Sequence, residues 1–292
     1  MKLQYSVFRR LVSICKLFGV TRQAYYKKQT RKVKLILHHE IVIQMVEKQR
    51  ELPQWKKMGT EKLYLRLKPE FEKLHIKMGR ISLHRLVKEY GLLVRQKRKR
   101  AITTDSYHRF TKHPNLIQGL ELLSAGVVWV SDITYLSLTD RFAYLFLITD
   151  AYSHKIIGYT LSLTLAAKGA IDAFNMAMAQ YNYVKYKILI HHSDRGIQYA
   201  CDPYVQLLEK HRVKISMSAK ASPYQNPIAE RINGILKNEM GLDRQFDNFE
   251  QATEEVIRTI EMYNNQRSHR SIDMLTPAVA HTMTGLISKR WK

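Results

Sequence analysis

The chain has 292 residues, 45% apolar and 25% charged, which suits two or three globular domains and excludes a collagen-like or disordered polypeptide. Its 48 Lys plus Arg against 25 Asp plus Glu leave a net charge of +23, and an excess of that size points to a polyanionic partner, nucleic acid first. Cys15 and Cys201 stand far apart and outside any Cys-x-x-Cys pair, Met1 to Arg10 holds no apolar run of signal-peptide length, and no uncharged apolar run of about 18 residues occurs. A cytosolic, nucleoid-associated protein without membrane contact is expected.

The charge is concentrated at one end. Residues 1–100 carry 27 basic and 7 acidic side chains, and residues 101–292 carry 21 and 18. A membrane-surface role would need an exposed amphipathic anchor, which the pattern does not offer. In region 1–55, Leu11, Val12, Ile14, Cys15 and Phe18 recur at helix spacing, Gly19 interrupts them, and Thr21 is placed to cap a short helix. This is a helix-turn-helix outline, with Arg22 and Gln23 at the start of its second helix as candidate DNA contacts. Paired helices joined at a glycine also occur in proteins that never touch DNA. Region 56–112 repeats the helical theme: Leu63, Leu65, Leu67, Ile81, Leu83, Leu86 and Val87 suit a small core, broken by Pro69, Gly79 and Gly91. A basic linker follows, in which Arg98, Lys99 and Arg100 suit a path along phosphates.

The periodicity changes in region 113–285. Val127 to Leu138, Phe142 to Thr149 and Lys155 to Leu163 are β-branched and aromatic runs joined by short turns, which predicts a meander. A helix (Ala166 to Tyr181), a strand (Ile188 to His191), a helix (Pro203 to His211), a strand (Val213 to Met217) and two closing helices follow. The order predicts an α/β core with a mixed sheet and helices on both faces, of the ribonuclease-H-like kind, preceded by an all-α region.

Three carboxylates stand out. Asp132 lies inside the first strand among Val128, Val130, Ile133 and Tyr135, where an ionised group is costly unless compensated by a functional partner, an ion pair or backbone donors. Asp194 sits where a strand ends, in His191-His192-Ser193-Asp194-Arg195-Gly196, a place for a site or for a plain turn. Glu230 falls in the first turn of a helix opened by Asn226 as N-cap and Pro227, where a solvated carboxylate is also at home. A projection at 100° per residue sets Ile228, Ile232, Ile235 and Leu236 on one side, and Asn226, Glu230, Asn233 and Lys237 on the other. Together the three carboxylates are hard oxygen donors suited to two Mg²⁺ or Mn²⁺ ions and to phosphodiester chemistry.

From Asp132 to Asp194 there are 61 intervening residues and from Asp194 to Glu230 there are 35, which resembles the Asp, Asp-35-Glu signature of retroviral-integrase-superfamily transposases. The words Trp129-Val130-Ser131-Asp132-Ile133-Thr134-Tyr135, His192-Ser193-Asp194-Arg195-Gly196 and Ser222-Pro223-Tyr224-Gln225-Asn226 resemble the OrfB transposases of the third insertion-sequence family. So do Glu230-Arg231 with Lys237, and Tyr263 to Arg270 followed by Leu275-Thr276-Pro277. The resemblance implies a DNA transposase that nicks element ends and joins the freed 3′-hydroxyl to another strand with two divalent metals. It carries Asp132, Asp194 and Glu230 over as metal ligands and Lys237 as a contact to terminal DNA. His192 and Asn226 match motif positions suited to orienting ligands or DNA, Asn233 on the face of Glu230 and Lys237 is a further candidate DNA contact, and Arg267 and His269 suit phosphate contact or, equally, packing of the last helix.

The partners so implied are double-stranded DNA at element ends and target, further copies of this chain on DNA, and an upstream reading-frame protein or a fusion with it. Two other functions fit the same features: a non-catalytic DNA-binding regulator, and a structure-selective nuclease on the same fold. A serine protease does not fit, because His192, Ser193 and Asp194 are consecutive and a triad draws its members from separate elements. No His-x-x-x-His pair supports a zinc hydrolase.

Overall fold

The computed structural model describes residues 11–94, 110–181, 188–219 and 226–287. They fall into two compact units, one drawn from Met1–Leu52 and Gly59–Leu93, the other from Pro53–Met58 and Val94–Lys292. The two N-terminal regions expected separately thus share one unit for most of their described length. The basic linker with Arg98, Lys99 and Arg100 lies outside the described residues. Among those described, no helix is long and apolar enough to cross a membrane.

In the first unit, residues 11–17 are helical and Gly19 turns the chain with φ +62, a left-handed angle that costs glycine little. The Thr21 hydroxyl accepts from the Ala24 amide at 3.1 Å and caps α1 (Arg22–Arg50). The short second helix expected here is in fact 29 residues long. Nothing in 22–50 stops it, since that stretch contains neither Gly nor Pro. Only its C-terminal part is buried, through Val42, Ile43 and Val46. These meet α2 (Thr60–Lys73), which buries Leu63, Leu67 and Phe71, and α3 (Arg80–Glu89), which buries Leu83, Leu86 and Val87. Leu65 is only half-buried and Ile81 is exposed, so the expected core is narrower than the sequence suggested. Pro69 does not break α2. It removes one backbone donor, but Leu67 and Phe71 on either side anchor the adjoining turns.

The second unit is built on a sheet of order β3-β2-β1-β4-β5, with a short β6 (Gln245–Phe246) against β1. Strands β1 (Val128–Leu138), β2 (Phe142–Asp150) and β3 (Ile156–Ser162) form the expected antiparallel meander. Strands β4 (Ile190–Ser193) and β5 (Lys214–Met217) run parallel to β1. Helix α4 (Ala167–Met178) makes the crossover from β3 to β4, and α5 (Asp202–Lys210) the crossover from β4 to β5. Helices α6 (Pro227–Gly234) and α7 (Phe249–Gln266) follow. The arrangement is ribonuclease-H-like.

Alternation along β1 divides the core. Trp129 packs with Phe146, Ile157, Phe174, Tyr204 and Leu208 beneath α4 and α5, whereas Val128 and Val130 pack with Ile190, Ala151 and Ala229 beneath α6. Helix α4 approaches β3 so closely that a Cβ at Gly158 would lie 2.1 Å from the Ala173 carbonyl oxygen.

Candidate active site

The site forms where two parallel strands part. The last paired positions of β1 and β4 are Val130 and His192. Asp132, still on β1, and Asp194, just past the end of β4, each lie two residues beyond them, so the two carboxylates sit side by side at the carboxyl end of the pair. Crevices of this kind are where open α/β sheets bind ligands. Asp194 is fixed by a tight turn in which its Oδ1 accepts from the Gly196 amide at 2.9 Å. A Cβ at Gly196 would stand 2.9 Å from that same oxygen, so a larger residue there would push the Asp194 carboxylate from its place.

Asp132 points towards α6. Its Oδ1 accepts from the Ile133 amide at 2.9 Å and its Oδ2 from the Asn233 side chain at 2.6 Å. Burial raises its pKa to about 7, with the Asp194 and Glu230 carboxylates pushing the same way and the two hydrogen bonds opposing them. Glu230 is exposed on α6, and desolvation raises its carboxyl above the usual range. Three like-charged groups thus act on one crevice, though among the described residues no three His, Cys, Asp or Glu side chains converge closely enough to hold one ion as the chain stands.

The helix is fastened differently from the sequence projection. Asn226 occupies the N-cap position, but its side chain caps nothing in the helix; its Nδ2 donates to the Ser131 carbonyl at 3.0 Å. Asn233 is buried against Asp132 instead of facing solvent with Glu230. The helix then widens into a π-turn over Ile235–Glu239, and Lys237 Nζ donates to the Tyr135 carbonyl at 2.8 Å. Segments of this kind occur often at functional sites.

The other candidates are dispersed. His192 is fully buried, its Nδ1 2.8 Å from the Ser216 hydroxyl, which in turn accepts from the Leu116 amide. Arg267 is buried in a two-pronged ion pair with Glu239, Nε to Oε1 at 3.1 Å and Nη2 to Oε2 at 2.7 Å, and its Nη1 lies 2.8 Å from His269 Nε2. His269 is buried against Tyr263. These three side chains are buried and bonded within the protein. Arg22 and Gln23 are exposed in the first unit, on the same helix as the exposed Lys27, Lys28, Arg31, Lys32 and Lys34. Sequence reasoning missed Tyr199, buried under the crevice and pushed well above the usual phenol range by burial, with Asp132 and Asp194 adding to the shift. Its only signal was its place five residues after Asp194.

Models of the integrase core domain match residues 124–223 and 211–277. The insertion element IS600 uncharacterized 31 kDa protein of Shigella sonnei is 33% identical over 91% of this chain and 96% of its own length. The transposase InsF for insertion sequence IS3A of Escherichia coli is 26% identical over 91% of both chains. The chain belongs to the OrfB-type transposases of the IS3 family. Within this family, a putative transposase for insertion sequence element IS986/IS6110 of Mycobacterium tuberculosis is 30% identical over 73% of this chain and 77% of that one. The integrase-core match takes in Asp132 and Asp194, and the second takes in Glu230 and the Arg267 network.

Proposed function

We propose that the protein is a DNA strand transferase that nicks the ends of an insertion sequence and joins the freed 3′-hydroxyls to target DNA. The observation that carries the reading is the placement of Asp132 and Asp194 at the parting of β1 and β4, with Glu230 acting on the same crevice. The donor set fits a hard divalent cation: all three groups are carboxylates, and the mutual repulsion that raises Asp132 is what a cation would relieve. Asp132, Asp194 and Glu230 would hold the two Mg²⁺ or Mn²⁺ ions. Such ions, when bound, neutralise charge on the scissile phosphate and lower the pKa of an attacking water.

The chain's own part follows from the geometry. Asn233 fixes the orientation of the Asp132 carboxylate, and the Gly196 turn fixes that of Asp194. In nicking, a water oxygen attacks the phosphorus, its proton leaves to solvent or a nearby base, and the 3′-oxygen departs with the electron pair of the P–O bond. In joining, that 3′-hydroxyl is the nucleophile and a 3′-oxygen of the target leaves in the same way. Bond breaking and bond making balance in both steps, so no high-energy cofactor is required. The exposed cations of α1, with Arg22 and Gln23, hold duplex DNA, and further copies of the chain complete the assembly on two ends.

Asp194→Asn tests the reading. Nicking and joining of end DNA should fall by about 10³-fold or more, with end binding retained. Wild-type rates in that variant would refute the assignment, and nicking of branched substrates without joining by the wild type would favour a nuclease.

A further inference from the structure

The edge of β1 beside the active site is open. Strand β4 pairs with β1 only at 128–130, and β6 only at 137–138. On this side the Val127 carbonyl accepts from the Ile190 amide, and carbonyls two residues apart along a strand share a side. Those of Ser131 and Tyr135 therefore face the gap between β4 and β6, where no strand among the described residues reaches them. Asn226 and Lys237 fill it, donating to Ser131 and Tyr135 at 3.0 and 2.8 Å. These two residues bracket Glu230 in sequence, and their acceptors bracket Asp132. At the last residue of the π-turn, Arg267 holds Glu239, so the C-terminal end of the segment is gripped a second time.

We propose that Asn226 and Lys237 are positioning residues that hook both ends of the Glu230-bearing segment onto the open edge of β1, setting the place of Glu230 before any DNA is bound. The proposal rests on the strand-transferase reading for its kinetic consequence, but the hook is a property of the DNA-free chain.

The test uses the full-length protein. Amide hydrogen exchange over 227–239 is measured without DNA for wild type, Lys237→Met, Lys237→Arg and Asn226→Ala, beside end-DNA affinity and single-turnover nicking. In Lys237→Met, exchange should quicken by about fivefold or more. Nicking should slow by about tenfold or more at saturating DNA while Kd stays within about threefold, and Lys237→Arg should restore both. Asn226→Ala should quicken exchange at the N-terminal end of the segment. Unchanged exchange in Lys237→Met overturns the hook, as does a Kd weakened about tenfold or more, which marks a DNA contact, or nicking at the wild-type rate despite faster exchange. If wild-type protein neither nicks nor joins, the strand-transferase reading fails, and the exchange measurement still decides the hook.

Discussion

Two aspartates on the same strand pair, one fully buried and one half-buried, contrast sharply. Asp150 ends β2 opposite Trp129, and Asp132 lies further along β1 opposite Leu147. Asp150 is fully enclosed and surrounded by donors: the Gly126 amide at 2.7 Å on one oxygen, the Ser153 amide and hydroxyl at 2.8 and 2.7 Å on the other, with His281 Nδ1 3.8 Å away. Asp132 has two donors and two neighbouring carboxylates acting on it. The first arrangement uses a carboxylate to close a turn. The second leaves it in an unfavourable field that only a cation or a proton relieves, and that difference in surroundings, not in residue type, separates a structural group from a reacting one.

The contrast can be broken most forcefully by removing the carboxylate at each position in turn. Asp132→Asn should lower strand joining by about 10³-fold or more while leaving the fold intact, read from joined product and circular dichroism. Asp150→Ala should do the reverse: it strands buried donors of Gly126 and Ser153 and should cost about 2–4 kcal/mol in urea unfolding, with joining retained where the protein is folded. Arg267→Ala should cost about 2–3 kcal/mol in the same assay, because it leaves Glu239 partly buried without its cation.

A smaller effect sharpens the account of Asp132. Its carboxyl titrates at about 7 in the folded chain against an ordinary 3.8. Between those values the folded state holds the extra proton, so stability of DNA-free protein should decline as pH rises from about 4 to 7, by roughly 1–3 kcal/mol for this group. Asp132→Asn should remove that part of the slope in pH-dependent denaturation. The least effect is expected from Lys57→Ala, whose pair with Asp243 at 2.9 Å is exposed, and thermal melting should place it within about 0.5 kcal/mol of wild type.

Much of the core was legible because its signals are local. The β-branched runs predicted three meander strands to within one or two residues at each end, and the strand-end placement of Asp194 followed from the Ile188-Leu189-Ile190 run. What escaped depends on partners distant in sequence. Asn233 donates to Asp132, 101 positions away, a partner that a projection of its own helix, which set it beside Glu230 and Lys237 as a candidate DNA contact, could not supply. For Arg267 and His269 the sequence left phosphate contact and packing of the last helix equally open, because the partners that draw them inward, Glu239 for the arginine and Tyr263 for the histidine, cannot be read from their own word. The long α1 escaped for another reason: its N-terminal two thirds buries almost no side chain, so apolar periodicity had little to report there.

The most direct test of the central claim incubates purified protein with the DNA flanking its gene in Mg²⁺, Mn²⁺ or EDTA, comparing wild type with Glu230→Gln for 3′-nicked and joined strands. The account predicts joined product from wild type with either metal, none in EDTA, and none from the variant although it still binds the ends. Joining by Glu230→Gln at the wild-type rate, or by wild type in EDTA, would contradict it.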